Sequence, residues 1–189
     1  MSNPLTKRPA MTVLGLSGSL RAGSTNAAVL AAAQALAPPG MTVAICDELG
    51  RLPFFNPDLE GDRLPASVAA FREKVGSAGG LLISSPEYAH GISGLLKNAL
   101  DWLVPSVVFP GKPVAVVNAS AFSTHAHEAL LETLRTMSAR LIPETIVTLP
   151  WTGEKLDCQG LIGEPRTARV IAAALASLDA LIRDAGERF

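Results

Sequence analysis

A glycine- and hydroxyl-rich turn with a single arginine lies near the start of the sequence. Residues 18–26 read GSLRAGSTN and closely follow the apolar run 12–16. The run has the character of a buried strand, and the alanine-rich stretch that begins at Asn26 has that of a helix. A strand-to-helix turn directs backbone N–H groups and the positive end of the helix dipole at an anion. The turn is therefore a candidate phosphate site.

The side chains of this turn would add donors to the backbone. A phosphate dianion could be held without a metal by four neutral side chains and one charged, forked donor, which are Ser19, Ser24, Thr25, Asn26 and Arg21. The alternative is structural, because Ser, Thr and Asn are also the preferred helix N-caps. Taken alone, the segment favours phosphate binding over a simple cap.

The elements that would position this turn alternate along the chain. Short apolar runs predict five strands, at 12–17, 41–47, 80–84, 113–119 and 144–149. Helical patterns lie at 26–37, 65–75, 94–103, 128–138 and about 164–185. Such alternation implies right-handed crossovers and a parallel sheet covered on both faces. We therefore expect an α/β fold, a flavodoxin-like three-layer sandwich with a five-stranded parallel sheet in the order 2-1-3-4-5.

The composition limits the classes of function. The chain has 189 residues, of which 48% are hydrophobic, and we expect one domain over 11–189 after a flexible tail at 1–10. The net charge of −1 lacks the basic excess of nucleic-acid-binding proteins. No apolar run reaches the ~18 residues of a membrane span, and no signal-peptide pattern is present. We therefore expect no nucleic-acid partner and no membrane partner.

The two cysteines also bear on the compartment. Cys46 and Cys158 form no C-x-x-C pattern and have no histidine nearby that would suggest zinc. They fit reduced thiols in a cytoplasmic protein. We therefore predict a cytoplasmic location and no metal site.

A second loop is predicted at the same edge of the sheet. In the order 2-1-3-4-5 a ligand binds outside the carboxyl ends of the first and third strands. The stretch 84–94 after the third strand combines a proline, two glycines and a tyrosine, so a flat ring could lie along its backbone. The alternative is an ordinary turn in which Ser93 caps the next helix. Because both loops reach one crevice, we favour the ligand site.

These residues resemble the NAD(P)H-dependent FMN reductase family, flavodoxin-like proteins that include quinone, azo-dye and chromate reductases. The family signature G-S-x-R-x-x-S-x-N is matched at 18–26. Its second signature, roughly P-E-Y-N-x-G-x-P-G-x-L-K-N-A-x-D-W, is matched at 86–102 except at Ala89 and Ser93. The resemblance spans most of 11–120 and thins beyond it.

The resemblance implies a noncovalently bound FMN. Its phosphate would bind the first loop, its ring would lie against 86–89, and the loop after the fourth strand would flank it. The implied cofactor-binding residues are Ser19, Arg21, Ser24, Thr25, Asn26, Pro86, Glu87, Tyr88, Ala89 and Ser120. Two departures matter: Ala89 replaces an asparagine, and Phe122 and Thr124 replace glycines of the third loop.

The resemblance also implies an enzyme. NADPH or NADH would deliver hydride to the flavin N5 and leave, so that a flavin, quinone or similar small-molecule acceptor takes the electrons in a ping-pong cycle. The chemistry needs no acid or base side chain, and none is assigned. Family members are commonly homodimers or homotetramers, and Phe54 and Phe55 either anchor such an interface or fold back onto the helices; of the two, we favour the interface.

Two other functions stay open at this point. A flavodoxin-type electron carrier would bind FMN in the same crevice, although such carriers are typically acidic and use a threonine-rich phosphate loop. A flavin-free binding protein on the same fold is kept open by Ala89 and Phe122. A serine hydrolase is disfavoured because no histidine follows His127, and a Walker loop because no G-K-S or G-K-T occurs.

Overall fold

A five-stranded sheet forms the centre of the computed structural model, which describes residues 10–150 and 156–186. Its strands are β1 (Met11–Ser17), β2 (Met41–Cys46), β3 (Gly80–Ser84), β4 (Val114–Asn118) and β5 (Ile146–Thr148). Neighbouring strands are parallel and follow the order β2-β1-β3-β4-β5. The predicted order is confirmed. The tail predicted at 1–10 lies outside the described residues except for Ala10.

Burial of the strands explains why they appear as apolar runs in the sequence. Every residue of β3 and β4 is buried, as are residues 13–16 of β1. Strands covered on both faces need apolar side chains on both sides, as parallel sheets do. The edge strand β2 is different, because its burial is interrupted at Thr42 and Ile45, which are exposed.

Helices cover both faces of the sheet. On one face lie α1 (Thr25–Leu36) and α6 (Pro165–Gly186), whose Val29, Leu30, Leu175 and Leu178 pack on Val13 and other residues of that side. On the other lie α2 (Ala66–Ser77), α3 (Gly94–Leu103) and α4 (His125–Thr136). A short helix, α5 (Cys158–Gly163), precedes α6. Within the described ranges, none of these helices is long and apolar enough to cross a membrane.

The main differences from the predicted elements are at β5, α4 and α5, each for a local reason; the other boundaries differ by at most two residues. β5 is shorter than 144–149 because Pro143–Thr145 forms a 3-10 turn, in which Thr145 Oγ1 donates to the Ile142 carbonyl at 2.9 Å. α4 begins at His125 rather than 128, in a first turn that Glu87 stabilises by accepting the Ala126 N–H at 2.9 Å. α5 was not predicted, and its cap is Asp157, which accepts the Gly160 N–H at 2.8 Å.

The connection between β2 and α2 folds back onto α3. The Pro53 carbonyl accepts hydrogen bonds from Asn98 Nδ2 at 3.0 Å and from Trp102 Nε1 at 2.8 Å. The Phe55 ring lies edge-on to Trp102 with centroids 5.1 Å apart, whereas Phe54 is 90% exposed. Phe55 therefore folds back onto the helices, so the interface role that we favoured is wrong for Phe55, and Phe54 is the one presented to solvent.

Candidate functional site

A cleft of about 210 Å³ lies at the carboxyl ends of the central strands. Five of the residues proposed from the sequence line it, which are Thr25, Asn26, Pro86, Glu87 and Ser120. Ser24 and Thr25 also line an adjoining depression of about 400 Å³ beside α1. Four others lie outside the lining of both, which are Ser19, Arg21, Tyr88 and Ala89. The sheet thus brings about half of the predicted set into one cleft.

The first loop, 18–24, reaches the loop after β3 through a close approach at Gly18. The Gly18 N–H donates to the Ser84 carbonyl at 2.9 Å. A Cβ atom at position 18 would lie 2.2 Å from Ser85 Oγ and 2.9 Å from Ser85 Cα. Because such contacts are prohibitive, only glycine lets the two strand ends meet this closely.

The N-terminus of α1 presents backbone donors that no side chain caps. Ser24 has the extended conformation of an N-cap residue and is buried, yet it makes no capping hydrogen bond. The first turn of α1 also contains no acidic residue. The first N–H groups of a helix have no partner within the helix, and its dipole is positive there. This end of α1 therefore suits an anion, and the simple N-cap interpretation does not account for it.

A hydrogen bond to the end of β3 holds the Asn26 side chain in place. Its Oδ1 lies 2.9 Å from Ser84 Oγ, which also lies 2.9 Å from the Val117 carbonyl. The hydroxyl has one proton and donates to one of these oxygens at a time. With Oδ1 directed at Ser84, the Asn26 amide NH₂ is the group left for a ligand in the cleft.

Arg21 lies along its own loop and is exposed to solvent. Its Nη2 donates to the Gly23 carbonyl at 3.0 Å, and its backbone N–H donates to Ser19 Oγ at 3.3 Å. A guanidinium carries five donors, so this bond leaves most of them available. Binding of a phosphate by Arg21 would therefore require rotation of its side chain toward α1 rather than rearrangement of the loop.

The loop after β3 at 85–93, here named the ring loop, is a tight hairpin. Residues Glu87–Tyr88 pair antiparallel with Gly91–Ile92. At its tip Ala89 and His90 have φ values of 49° and 58°, a region that asparagine tolerates better than alanine. The hairpin therefore explains why asparagine is expected at position 89, and Ala89 keeps the turn without the amide. Ser93 also caps α3, since its Oγ accepts the Leu96 N–H at 3.3 Å, so the cap that was weighed as the alternative to a ligand site is present as well.

Two contacts tie the ring loop to α4. The Glu87 carboxylate accepts the Ala126 N–H at 2.9 Å, so one of its oxygens is occupied within the protein. The His90 ring stacks on His125 with centroids 4.3 Å apart and an angle of 27° between the planes. Tyr88, by contrast, is 58% exposed. Glu87 therefore ties the ring loop to the start of α4.

The loop after β4 contributes Ser120 and its support. Asn118 is buried, and its Oδ1 accepts the Ser120 N–H at 3.2 Å while its Nδ2 donates to the Ser123 carbonyl at 3.0 Å. Phe122 is 72% exposed and does not line the cleft. The bulky residue of this loop therefore leaves the cleft accessible.

The remaining wall of the cleft was missed by sequence reasoning. It consists of residues after β5 and around α5 and α6, which are Leu149, Pro150, Leu156, Leu161 and Thr167. The predicted strand order carried a signal for Leu149 and Pro150, since β5 ends at the same edge as the other strands. No comparable signal marked α5, because a six-residue helix depends on tertiary packing rather than on its own propensity.

The donor set fits a flavin nucleotide. The α1 terminus supplies backbone, hydroxyl and amide donors for a phosphate, and Pro86 and Glu87 of the ring loop line the same cleft. A metal is not needed to hold such a group. Within residues 10–150 and 156–186, no group of three or more His, Cys, Asp or Glu side chains is arranged to bind a metal ion.

Comparison with known proteins agrees with this geometry. The family model described as NADPH-dependent FMN reductase matches residues 11–152. An NAD(P)H-dependent FMN reductase of Pseudomonas aeruginosa is 37% identical over 176 residues, which cover 90% of this chain and 95% of the relative. An NAD(P)H:quinone oxidoreductase of Solanum tuberosum is 33% identical over 186 residues, covering 94% and 95%.

A solved structure shares the fold. The flavoenzyme NAD(P)H:(acceptor) oxidoreductase FerB from Paracoccus denitrificans superimposes with a TM-score of 0.75 at 24% identity, covering 93% of this chain and 98% of that one. The family match extends over more than half of the sequence and includes the first loop, the ring loop and the loop after β4. The chain therefore belongs to the NADPH-dependent FMN reductase family.

Proposed function

We propose that this chain transfers hydride from NAD(P)H to a bound FMN and passes the electrons to a quinone or a second flavin. The observation that carries the proposal is the uncapped N-terminus of α1, which opens beside a rigid ring loop in one cleft. The names of the two relatives above, an FMN reductase and a quinone oxidoreductase, support the choice of cofactor and of acceptor class.

In this proposal the first loop binds the phosphate. The first-turn N–H groups of α1 would donate to it, together with the hydroxyls of Ser19, Ser24 and Thr25 and the amide of Asn26. Arg21 would supply the charged donor after rotation of its side chain. Hydrogen bonds to a charged group contribute about 1.5–3 kcal/mol each, so Arg21 is expected to contribute most among the side chains.

The ring loop and Ser120 would position the flavin ring. Pro86 and Glu87 line one side of the cleft, the backbone of 88–89 would continue that side, and Glu87 is tied to α4. When bound, FMN supplies the hydride-accepting and hydride-donating chemistry. The chain's contribution is orientation and a covered face, so we assign no side chain as acid or base. A single open face used in turn by both substrates predicts ping-pong kinetics.

We also propose that the chain forms a homodimer or homotetramer in the cytoplasm. Phe54 supports the first part, because it is 90% exposed and aromatic side chains are common anchors at the centre of protein interfaces. The free thiols of Cys46 and Cys158 support the second. Sedimentation of Phe54→Ser should show a smaller species than the wild type, and an unchanged mass would remove Phe54 from the interface.

The enzymatic proposal is tested by the spectrum and turnover of the purified protein. We expect a yellow protein, or a colourless one that becomes yellow on addition of FMN, and consumption of NADPH or NADH that depends on added quinone or flavin. A protein that takes up FMN but consumes neither nucleotide with any acceptor would instead be an electron carrier. A protein that takes up no FMN would contradict the proposal altogether.

A further inference from the structure

The side-chain amide of Asn26 is paired at one end only. Asn26 lines the cleft and is 8% exposed. Its Oδ1 lies 2.9 Å from Ser84 Oγ, whereas its Nδ2 forms no hydrogen bond with the described part of the chain. A donor on so buried a side chain is rarely left unpaired in native proteins. The amide therefore indicates a ligand in the cleft that offers acceptor atoms.

Two oxygens compete for the hydroxyl proton of Ser84, the last residue of β3. Ser84 is fully buried, and its Oγ lies 2.9 Å from both Asn26 Oδ1 and the Val117 carbonyl. If the proton goes to the carbonyl, Oγ can only accept from Asn26, so the amide must turn its NH₂ inward and its Oδ1 toward the cleft. If the proton goes to Oδ1, the NH₂ faces the cleft. The hydroxyl and the amide are therefore oriented together.

A phosphate is compatible with only one of these two arrangements. A phosphate dianion offers strong acceptor oxygens and no proton. An Oδ1 turned toward the cleft would face those oxygens with no hydrogen between them, whereas an NH₂ would donate a charge-assisted hydrogen bond. The N-terminus of α1, where Asn26 lies, already favours an anion. Anion binding therefore selects the arrangement in which Ser84 donates to Asn26.

We propose that Ser84 is a positioning residue for the phosphate site: by donating to Asn26 Oδ1, it directs the Asn26 amide at the anion. The assignment rests on the proposed function. Ser84 does not line the cleft, so it acts on a ligand only through Asn26. It also lies outside the two signature stretches 18–26 and 86–102, and its contribution follows from the contact between the end of β3 and the start of α1.

Removal of the hydroxyl tests the assignment on two flavins. In Ser84→Ala the dissociation constant of the apoprotein for FMN, measured by quenching of flavin fluorescence, should rise about three- to tenfold. The dissociation constant for riboflavin, which lacks the phosphate, should stay at the wild-type value, whereas a merely structural role would weaken both. Ser84→Cys retains a weaker donor and should show a smaller loss of FMN affinity in the same direction, which covers the case that the alanine variant does not fold.

A double-mutant cycle with Asn26 shows whether Ser84 acts through the amide. Asn26→Ala removes the amide and should raise the FMN dissociation constant at least as much as Ser84→Ala does. With the amide gone, the Ser84 hydroxyl has nothing to position, so adding Ser84→Ala should change the FMN affinity no further. Losses that simply multiply in the double variant would overturn the assignment.

Thr145→Val is the matched control, because it also removes a fully buried hydroxyl. Thr145 Oγ1 donates to the Ile142 carbonyl at 2.9 Å, and the residue does not line the cleft. This variant should lower the melting temperature of the apoprotein and leave both flavin affinities unchanged. Wild-type FMN affinity in Ser84→Ala, or an equal loss for riboflavin, would overturn the positioning role alone. A wild-type apoprotein that binds no flavin would overturn the proposed function as well.

Discussion

The two walls of the cleft differ in chemistry and in how they are held. The wall formed after β1, β3 and β4 carries Asn26, Glu87, Asn118 and Ser120, and its groups are fixed by hydrogen bonds to strand ends or helix termini. The wall formed after β5 is apolar in its described part except for Thr167. Its position depends on the packing of α5 and α6 against the sheet.

The difference suggests that the polar wall binds the ligand through hydrogen bonds, whereas the apolar wall closes the other side of the cleft. The strand order sets where the carboxyl ends of the strands lie. A parallel sheet therefore places the polar loops that follow these strands side by side, independently of the side chains in the loops. The apolar wall has no such guide and is held by side chains such as Leu161, which belongs to the core on the α1 and α6 side. Substitutions in the polar wall should therefore change FMN affinity most, and substitutions in the apolar wall should change the stability of the fold most.

The largest loss of stability is expected from a substitution in the apolar wall. Leu161 is 3% exposed, so Leu161→Ala should lower the free energy of unfolding by about 2–4 kcal/mol through lost burial and a cavity. Urea denaturation would measure this loss. Val107→Ala, at a residue that is 92% exposed, should change it by less than about 0.5 kcal/mol. Equal losses in the two variants would show that this wall does not contribute to the core.

The next largest loss of stability is expected where the first loop and the ring loop approach each other at Gly18. Gly18→Ala places a Cβ atom 2.2 Å from Ser85 Oγ, so the loops must separate, at about 1–3 kcal/mol of stability, and FMN affinity should fall with it. Gly23→Ala is the matched control, because a Cβ there meets no atom within 4 Å. If both variants bind FMN equally well, the two loops do not need this contact to form the site.

Replacement of Arg21 should lower FMN affinity without changing the stability of the fold. Arg21→Ala removes a charged donor and should weaken FMN binding about 10- to 100-fold, with the urea midpoint unchanged because the side chain is exposed. Isothermal titration of the apoprotein at two salt concentrations measures the change. Arg63→Ala, also exposed and on another loop, serves as the control for net charge. Wild-type affinity in Arg21→Ala would remove Arg21 from the phosphate site.

The smallest loss of stability is expected at an ion pair that lies away from both walls. This pair serves as a reference, because breaking it should not change FMN affinity. Arg72 contacts Glu60 through two hydrogen bonds of 2.6 and 3.0 Å and also donates to the Trp102 carbonyl. Glu60→Gln should lower stability by about 1 kcal/mol at neutral pH and leave FMN affinity unchanged. A loss of FMN affinity would show that the connection after β2 does influence the cleft.

The pH dependence of this ion pair has a defined sign. The hydrogen bonds from Arg72 hold the pKa of the Glu60 carboxyl below its usual 4.5. A carboxyl with a lowered pKa stabilises the fold above that value and loses this contribution as the pH falls below it. The stability difference between wild type and Glu60→Gln should therefore shrink in acid, and a difference that stays constant would contradict the ion pair.

The sequence predicts the strands and both polar loops from local pattern, and it predicts the strand order from the alternation of five strands with helices. Apolar runs mark the strands, and the glycine-containing stretches 18–26 and 84–94 mark the loops that follow β1 and β3. The positions of Glu87 and Thr167 at the cleft could not be predicted, since each depends on contacts between distant parts of the chain. Glu87 binds the backbone 39 residues away, and Thr167 reaches the cleft only through the packing of α6.

Anaerobic stopped-flow absorbance tests the central claim most directly. The purified protein, loaded with FMN, is mixed with NADPH and in parallel with NADH while the oxidised flavin band is followed. The proposed function predicts that the band bleaches with at least one nucleotide, at a rate that rises with its concentration, and returns when a quinone is added. A flavin band that is unchanged at millimolar concentrations of both nucleotides would contradict it.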